Sequence, residues 1–135
     1  MNGWAAFVFL LRQQEEVRLI WILQYRRKEG MTVAVTVLVQ RDMDAEKQEE
    51  VFDLLRQLRS RAVLQPGYLS GETLFSANRS GAHLVISKWR SFKDWRAWEK
   101  NTERREILSK IDSLLKTPAV VGFYLDSPAP VPEGV

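Results

Sequence analysis

The stretch Thr32 to Gln40, TVAVTVLVQ, decides the fold. Val33, Val35, Val37 and Val39 fall on one face and Ala34, Thr36, Leu38 and Gln40 on the other, the period of two that a β-strand imposes. Apolar side chains occupy both faces, so the strand belongs inside a sheet that is covered on both sides. After it the spacing turns helical. Asp44 suits an N-cap, Glu46 favours the positive helix end, and Val51, Leu54, Leu55, Leu58 and Ala62 recur along one side. A helix is expected over 45–62.

Gln65-Pro66-Gly67 supplies a turn, and two strands, 68–77 and 82–90, flank Asn78-Arg79-Ser80-Gly81, whose Asn and Gly suit a tight hairpin. Ser91 with Asp94 three residues on resembles a capping box, and Phe92, Trp95 and Trp98 then share one face of a short helix. Thr102 is the expected cap of a second piece, in which Ile107, Leu108, Ile111, Leu114 and Leu115 keep helical spacing. Pro118 ends that piece before a last strand, 119–125. The order β-α-β-β-α-β predicts an α+β, ferredoxin-like arrangement, a four-stranded antiparallel sheet with its helices on one face. A second copy packing sheet to sheet would cover the other face, so a homodimer is expected.

The flanks read differently. Residues 1–30 hold apolar blocks at Trp4 to Leu11 and Leu19 to Leu23, separated by Arg12, Glu15, Glu16 and Arg18. Neither block approaches the roughly 18 to 20 residues of a membrane span, and no secretory cleavage pattern follows them. Arg27-Lys28-Glu29-Gly30 stands directly before Met31, and purine-rich codons for that tetrapeptide can spell a bacterial ribosome-binding site. Residues 1–30 are therefore expected to be an extension upstream of the true start at Met31, with the domain over 31–126. The tail 127–135, SPAPVPEGV, has three prolines and few large apolar groups, and is expected to be disordered.

Composition narrows the chemistry. A chain of 135 residues fits one domain. Cysteine is absent, which excludes disulfides, thiolate zinc sites, iron–sulfur clusters and cysteine nucleophiles. His83 is the one histidine, so a multi-histidine metal site is excluded as well. Twenty basic residues face 17 acidic ones, and without residues 1–30 the balance is 15 to 14, too even to suggest nucleic acid. RNA-recognition motifs of the same element order stack bases on aromatics of their first and third strands; here the first is aliphatic and the third ends, rather than centres, on Trp89. A bacterial, cytoplasmic setting fits these features.

Pro66-Gly67-Tyr68, Leu84-Val85-Ile86-Ser87-Lys88-Trp89-Arg90-Ser91, Trp95-Arg96-Ala97-Trp98 and Asn101, in this order and spacing, resemble the antibiotic biosynthesis monooxygenase family over about residues 31–126. The resemblance implies a dimeric α+β barrel with a mostly apolar pocket between helices and sheet in each subunit. The activities it implies include cofactor-independent oxygenation of polycyclic phenols and haem degradation. For haem, the iron-binding histidine falls at Leu108 and the strand-one asparagine is missing from 32–40, so no haem is expected. For the phenol oxygenases the substrate supplies its own electrons, and the protein supplies shape and donors for a developing oxyanion.

On that basis Trp89 is the expected indole donor and His83 the candidate base, an imidazole having an ordinary pKa near 6.5. His83 also stands beside the hairpin, which predicts a solvated ring. Thr36, Phe52, Trp98 and Leu108 are the expected lining for a small, planar, apolar aromatic ligand, with no metal. Trp95 and Trp98 at helical spacing also suit plain core or dimer packing. An oxygenase predicts a cavity of roughly 300 Å³ or more. The alternative, a non-catalytic dimeric module that carries or senses a small molecule, predicts a filled interior without convergent polar groups.

Overall fold

A computed structural model of the chain describes residues 33–126. The expectations for the segment before Met31 and for the tail 127–135 fall outside the described residues. Strand β1 spans Val35–Asp42, and after a 3-10 turn at Ala45–Lys47 helix α1 runs over Gln48–Ala62. β2 (Tyr68–Phe75) and β3 (Ala82–Trp89) follow, then α2 (Phe92–Glu99), α3 (Thr102–Asp112) and β4 (Val120–Leu125). The strands form one sheet in the order β2-β3-β1-β4, every neighbour antiparallel. This is the α+β arrangement that the element order predicts, with the second helical segment broken in two.

The alternation in β1 sorts the layers. Val35, Val37 and Val39 are buried in one cluster with Ala62, Trp89, Trp95 and Trp98, so this face meets the helices. A second cluster, Met43, Val51, Leu55 and Ile111, closes the far end. Thr36, Leu38 and Gln40 project from the opposite face, aligned with Tyr124, Gly122 and Val120 of β4 and with Lys88, Ile86 and Leu84 of β3. That face stays apolar and open, with Leu74, Val120 and Tyr124 exposed.

Local signals explain the element ends. Gly81 closes the hairpin at φ +84°, a region L side chains avoid, and its place against the Met43 carbonyl leaves no room for a Cβ. Ser91 caps α2 as expected: its Oγ accepts from Asp94 N at 3.1 Å and donates to the Asp94 carboxylate at 2.8 Å. Two expected caps differ. The Asp44 side chain caps nothing, because a 3-10 turn intervenes before α1. The cap of α3 is Asn101, one residue before Thr102, its Oδ1 accepting from Arg104 N at 3.0 Å. Asn101→Ala is therefore expected to cost about 1 kcal/mol, and Thr102→Ala a few tenths, in urea unfolding midpoints. Equal effects would contradict this assignment.

Candidate functional site

A partly open cavity of about 70 Å³ lies between the helices and the sheet. Its walls are aromatic: Tyr68 from β2, Trp89 from β3, and Trp95 and Trp98 from α2. Trp89 is the keystone, fully buried, with Tyr68 edge-on at 5.4 Å, Trp95 edge-on at 5.8 Å and Trp98 stacked at 6.3 Å between ring centroids. Gly71 keeps space beneath the Tyr68 hydroxyl, which a Cβ there would overlap. The mouth lies between α1 and the edge strand β2, where exposed Arg59 donates from Nη2 to the Gly71 carbonyl at 2.6 Å.

The polar groups at this cavity are few and unevenly partnered. Trp89 Nε1 donates to Ser87 Oγ at 3.1 Å. Trp95 Nε1 is buried with no hydrogen-bond partner among the described residues. Arg104 of α3 places its guanidinium 5.1 Å over the Trp95 ring and donates from Nη1 to the Glu99 carbonyl at 3.1 Å. Arg41 continues the inward series of β1 after Val39 and is buried, its Nε and Nη1 without partners among the described residues. Burial lowers the Arg41 pKa to about 10, with Asp112 attracting and Arg104 repelling, so it stays charged at neutral pH.

Of the site residues expected from sequence, Trp89 and Trp98 reach this cavity. Thr36 does not: strand alternation turns it to the open face of the sheet. Phe52 leans to the sheet edge, its ring 5.5 Å from Phe75. Leu108 packs against the second cluster, with Met43, Val51, Leu55 and Ile111. An aliphatic side chain in that apolar setting offers iron no ligating atom, so this position supplies no haem ligand. The expected 300 Å³ also differs from the observed volume, because the indoles fill the space between helices and sheet. Sequence reasoning missed Arg41, Arg104 and Trp95 as the cavity's donors.

His83 departs from the solvated ring that its sequence position suggests. It is 5% exposed, paired in register with Arg41 on one side and Phe75 on the other, and its Nε2 has no partner among the described residues. Burial first, and the Arg41 charge second, push its pKa down to about 4. Below pH 6.5 the unfolded chain takes up a proton that the folded chain refuses until about pH 4. This contribution to stability is complete above pH 6.5 and is lost as the pH falls toward 4, on the order of 1 kcal/mol after screening. The imidazole resonances of this single histidine are expected to titrate near pH 4; a midpoint near 6.5 would place the ring in solvent.

Comparisons with known proteins now bear on this geometry. The fold matches SnoaB, a cofactor-independent oxygenase from Streptomyces nogalater, at TM-score 0.63 and 13% identity, covering 76% of this chain and 100% of that one. It also matches Rv0793 of Mycobacterium tuberculosis at 0.63 and 18% identity, covering 76% and 99%. A conserved protein from Methanosarcina mazei Go1 matches at 0.66 and 14% identity, covering 69% and 92%. At these identities the likeness speaks for the fold. No curated protein sequence matches the chain. No helix among the described residues is long and apolar enough to cross a membrane. The family model for antibiotic biosynthesis monooxygenase matches residues 34–110, which holds β1 to β3, α2 and every side chain of the aromatic cavity, and the chain belongs to that family.

Proposed function

We propose that the chain is a cytoplasmic monooxygenase that oxygenates a small planar aromatic of phenol or quinol type without a metal or an organic cofactor. The observation that carries this reading is a cavity with aromatic walls, lined also by Trp95 and Arg41, whose buried N–H groups have no partner among the described residues. A phenol oxidised to a quinone gives up four electrons to O2, one oxygen atom entering the product and the other leaving as water, so substrate and O2 alone balance the reaction. The protein's part is to orient the ring, exclude water and stabilise the phenolate. Tyr68, Trp89 and Trp98 hold the ring. Trp95 Nε1 and the Arg104 guanidinium face the developing negative charge, while Trp89, occupied by Ser87, acts mainly as a wall. His83 is too weak a base near pH 7 to drive the deprotonation, and the cationic field of Arg104 eases it instead.

Oxygen uptake on a panel of monocyclic and bicyclic phenols and quinols tests this. A turned-over substrate is expected to take one 18O atom from 18O2 and to keep its rate after metal chelation. Trp89→Phe is expected to retain most activity and Trp95→Phe to lose about 100-fold to 1,000-fold, as for an oxyanion donor. The small cavity favours a second reading, a non-catalytic binding module. Saturable tryptophan quenching by a phenol with no oxygen uptake would select it.

The open sheet face completes the proposal. Leu74, Val120 and Tyr124 are exposed there beside Leu38, Leu84 and Ile86, an apolar surface that a second copy of the chain covers. Sedimentation is expected to show a homodimer that Ile86→Glu splits.

A further inference from the structure

The cavity holds one strong donor that the oxygenation leaves unused. Arg41 is 6% exposed, and Nε and Nη1 of its guanidinium lack a hydrogen-bond partner among the described residues. A buried cation is normally paired, since water no longer solvates it. No carboxylate among the described residues pairs with this one: Asp112 is exposed and acts on it only through space, and Arg104, the second guanidinium at the cavity, repels it. Trp95 Nε1, equally buried and unpartnered, lines the same space. Around these donors the lining is mainly apolar, including Val39, Leu55, Leu58 and Val85, and it also holds Thr73, Ser87 and the exposed Glu72. A pair of guanidiniums in a mainly aromatic and aliphatic chamber matches a ligand with a flat apolar body and a compact anionic head.

We propose that this cavity binds the carboxylate of an aromatic acid, docked on the Arg41 guanidinium. The guanidinium fork suits the two oxygens of a carboxylate better than the single oxygen of a phenolate. The ring then lies along Trp89 and Trp98 and points toward the mouth beside Arg59 and Gly71. A cavity of about 70 Å³ holds a head group and a ring edge, and the rest of the ligand extends through that mouth. This inference rests on the cavity being the substrate site, and narrows its substrate from a neutral phenol to a hydroxylated aromatic acid.

Isothermal titration of the full chain with benzoate, its neutral isostere benzamide, and phenol tests the proposal. Benzoate is expected to bind at least 10-fold tighter than benzamide. Arg41→Gln is expected to remove that difference by weakening benzoate alone, and Arg41→Lys to restore part of it. Benzoate is also expected to shift the Trp95 indole N–H resonance, a readout independent of activity and of any variant's folding. Equal affinity for benzoate and benzamide, or benzoate binding unchanged in Arg41→Gln, would overturn the proposal. Phenol binding without benzoate binding would sink the carboxylate site and leave the phenol oxygenase standing; no binding of any of the three would sink both.

Discussion

Trp89→Ala is expected to cost about 3–5 kcal/mol of folding free energy, read from the midpoint and slope of a urea titration. The side chain is fully buried and sits where three elements meet: register pairs it with Val35 of β1 and with Tyr68 of β2, and its ring carries Trp95 and Trp98 of α2. Truncation removes the transfer energy of an indole, and the rings around it cannot collapse into the hole without leaving their own partners. Each aromatic pair lost adds about 0.5–1.5 kcal/mol beyond its buried area. Small domains hold only about 5–15 kcal/mol in total, so the variant is expected to be partly unfolded at 37 °C. Trp89→Phe keeps most of the bulk and loses the bond to Ser87, and is expected to cost about 1–2 kcal/mol. A loss below 1 kcal/mol for Trp89→Ala would mean that the indole cage is not what joins α2 to the sheet.

The same alternation that revealed the sheet also contained most of the site. In β1 the inward series runs Val35, Val37, Val39, and the next member at period two is Arg41. A charge continuing a buried valine row is the signal that locates the cavity's unpaired cation, and it is visible in the sequence. Thr36 belongs to the other row, with Leu38 and Gln40, so its exclusion from the cavity was equally legible. His83 likewise shares its row with Val85, Ser87 and Trp89, which outweighs its closeness to the hairpin. Three features were not legible. Which indole keeps a free N–H depends on the Ser87 hydroxyl lying 3.1 Å from Trp89 Nε1, a side-chain geometry. The cavity volume depends on how three indoles stack. Phe52 and Leu108 sit on helix faces whose direction is set by packing between helices, and spacing alone could not say that they meet Phe75 and the second apolar cluster, respectively, rather than the tryptophans.

Arg41→Met is expected to raise the stability of the ligand-free protein by about 1–4 kcal/mol, a rise in melting midpoint of several degrees. The through-space attraction of Asp112 offsets the desolvation of the guanidinium only in part, and burial still lowers its pKa to about 10. An unbranched apolar side chain of similar length extends the valine row and meets Leu55 and Val85 along the cavity. It also relieves the repulsion with Arg104, and it strands no partner, because Asp112 is exposed and stays solvated. The gain would mark Arg41 as a residue kept at a cost to the fold, the pattern of a binding site rather than of a structural pair. Ligand should then reverse the order of the two proteins. Saturating benzoate is expected to raise the wild-type midpoint and leave that of Arg41→Met unmoved, since only the first gains binding energy in the folded state. A destabilised Arg41→Met would show instead that the guanidinium is paired in solution and holds the fold together, and the cavity would lose its claim to an anion.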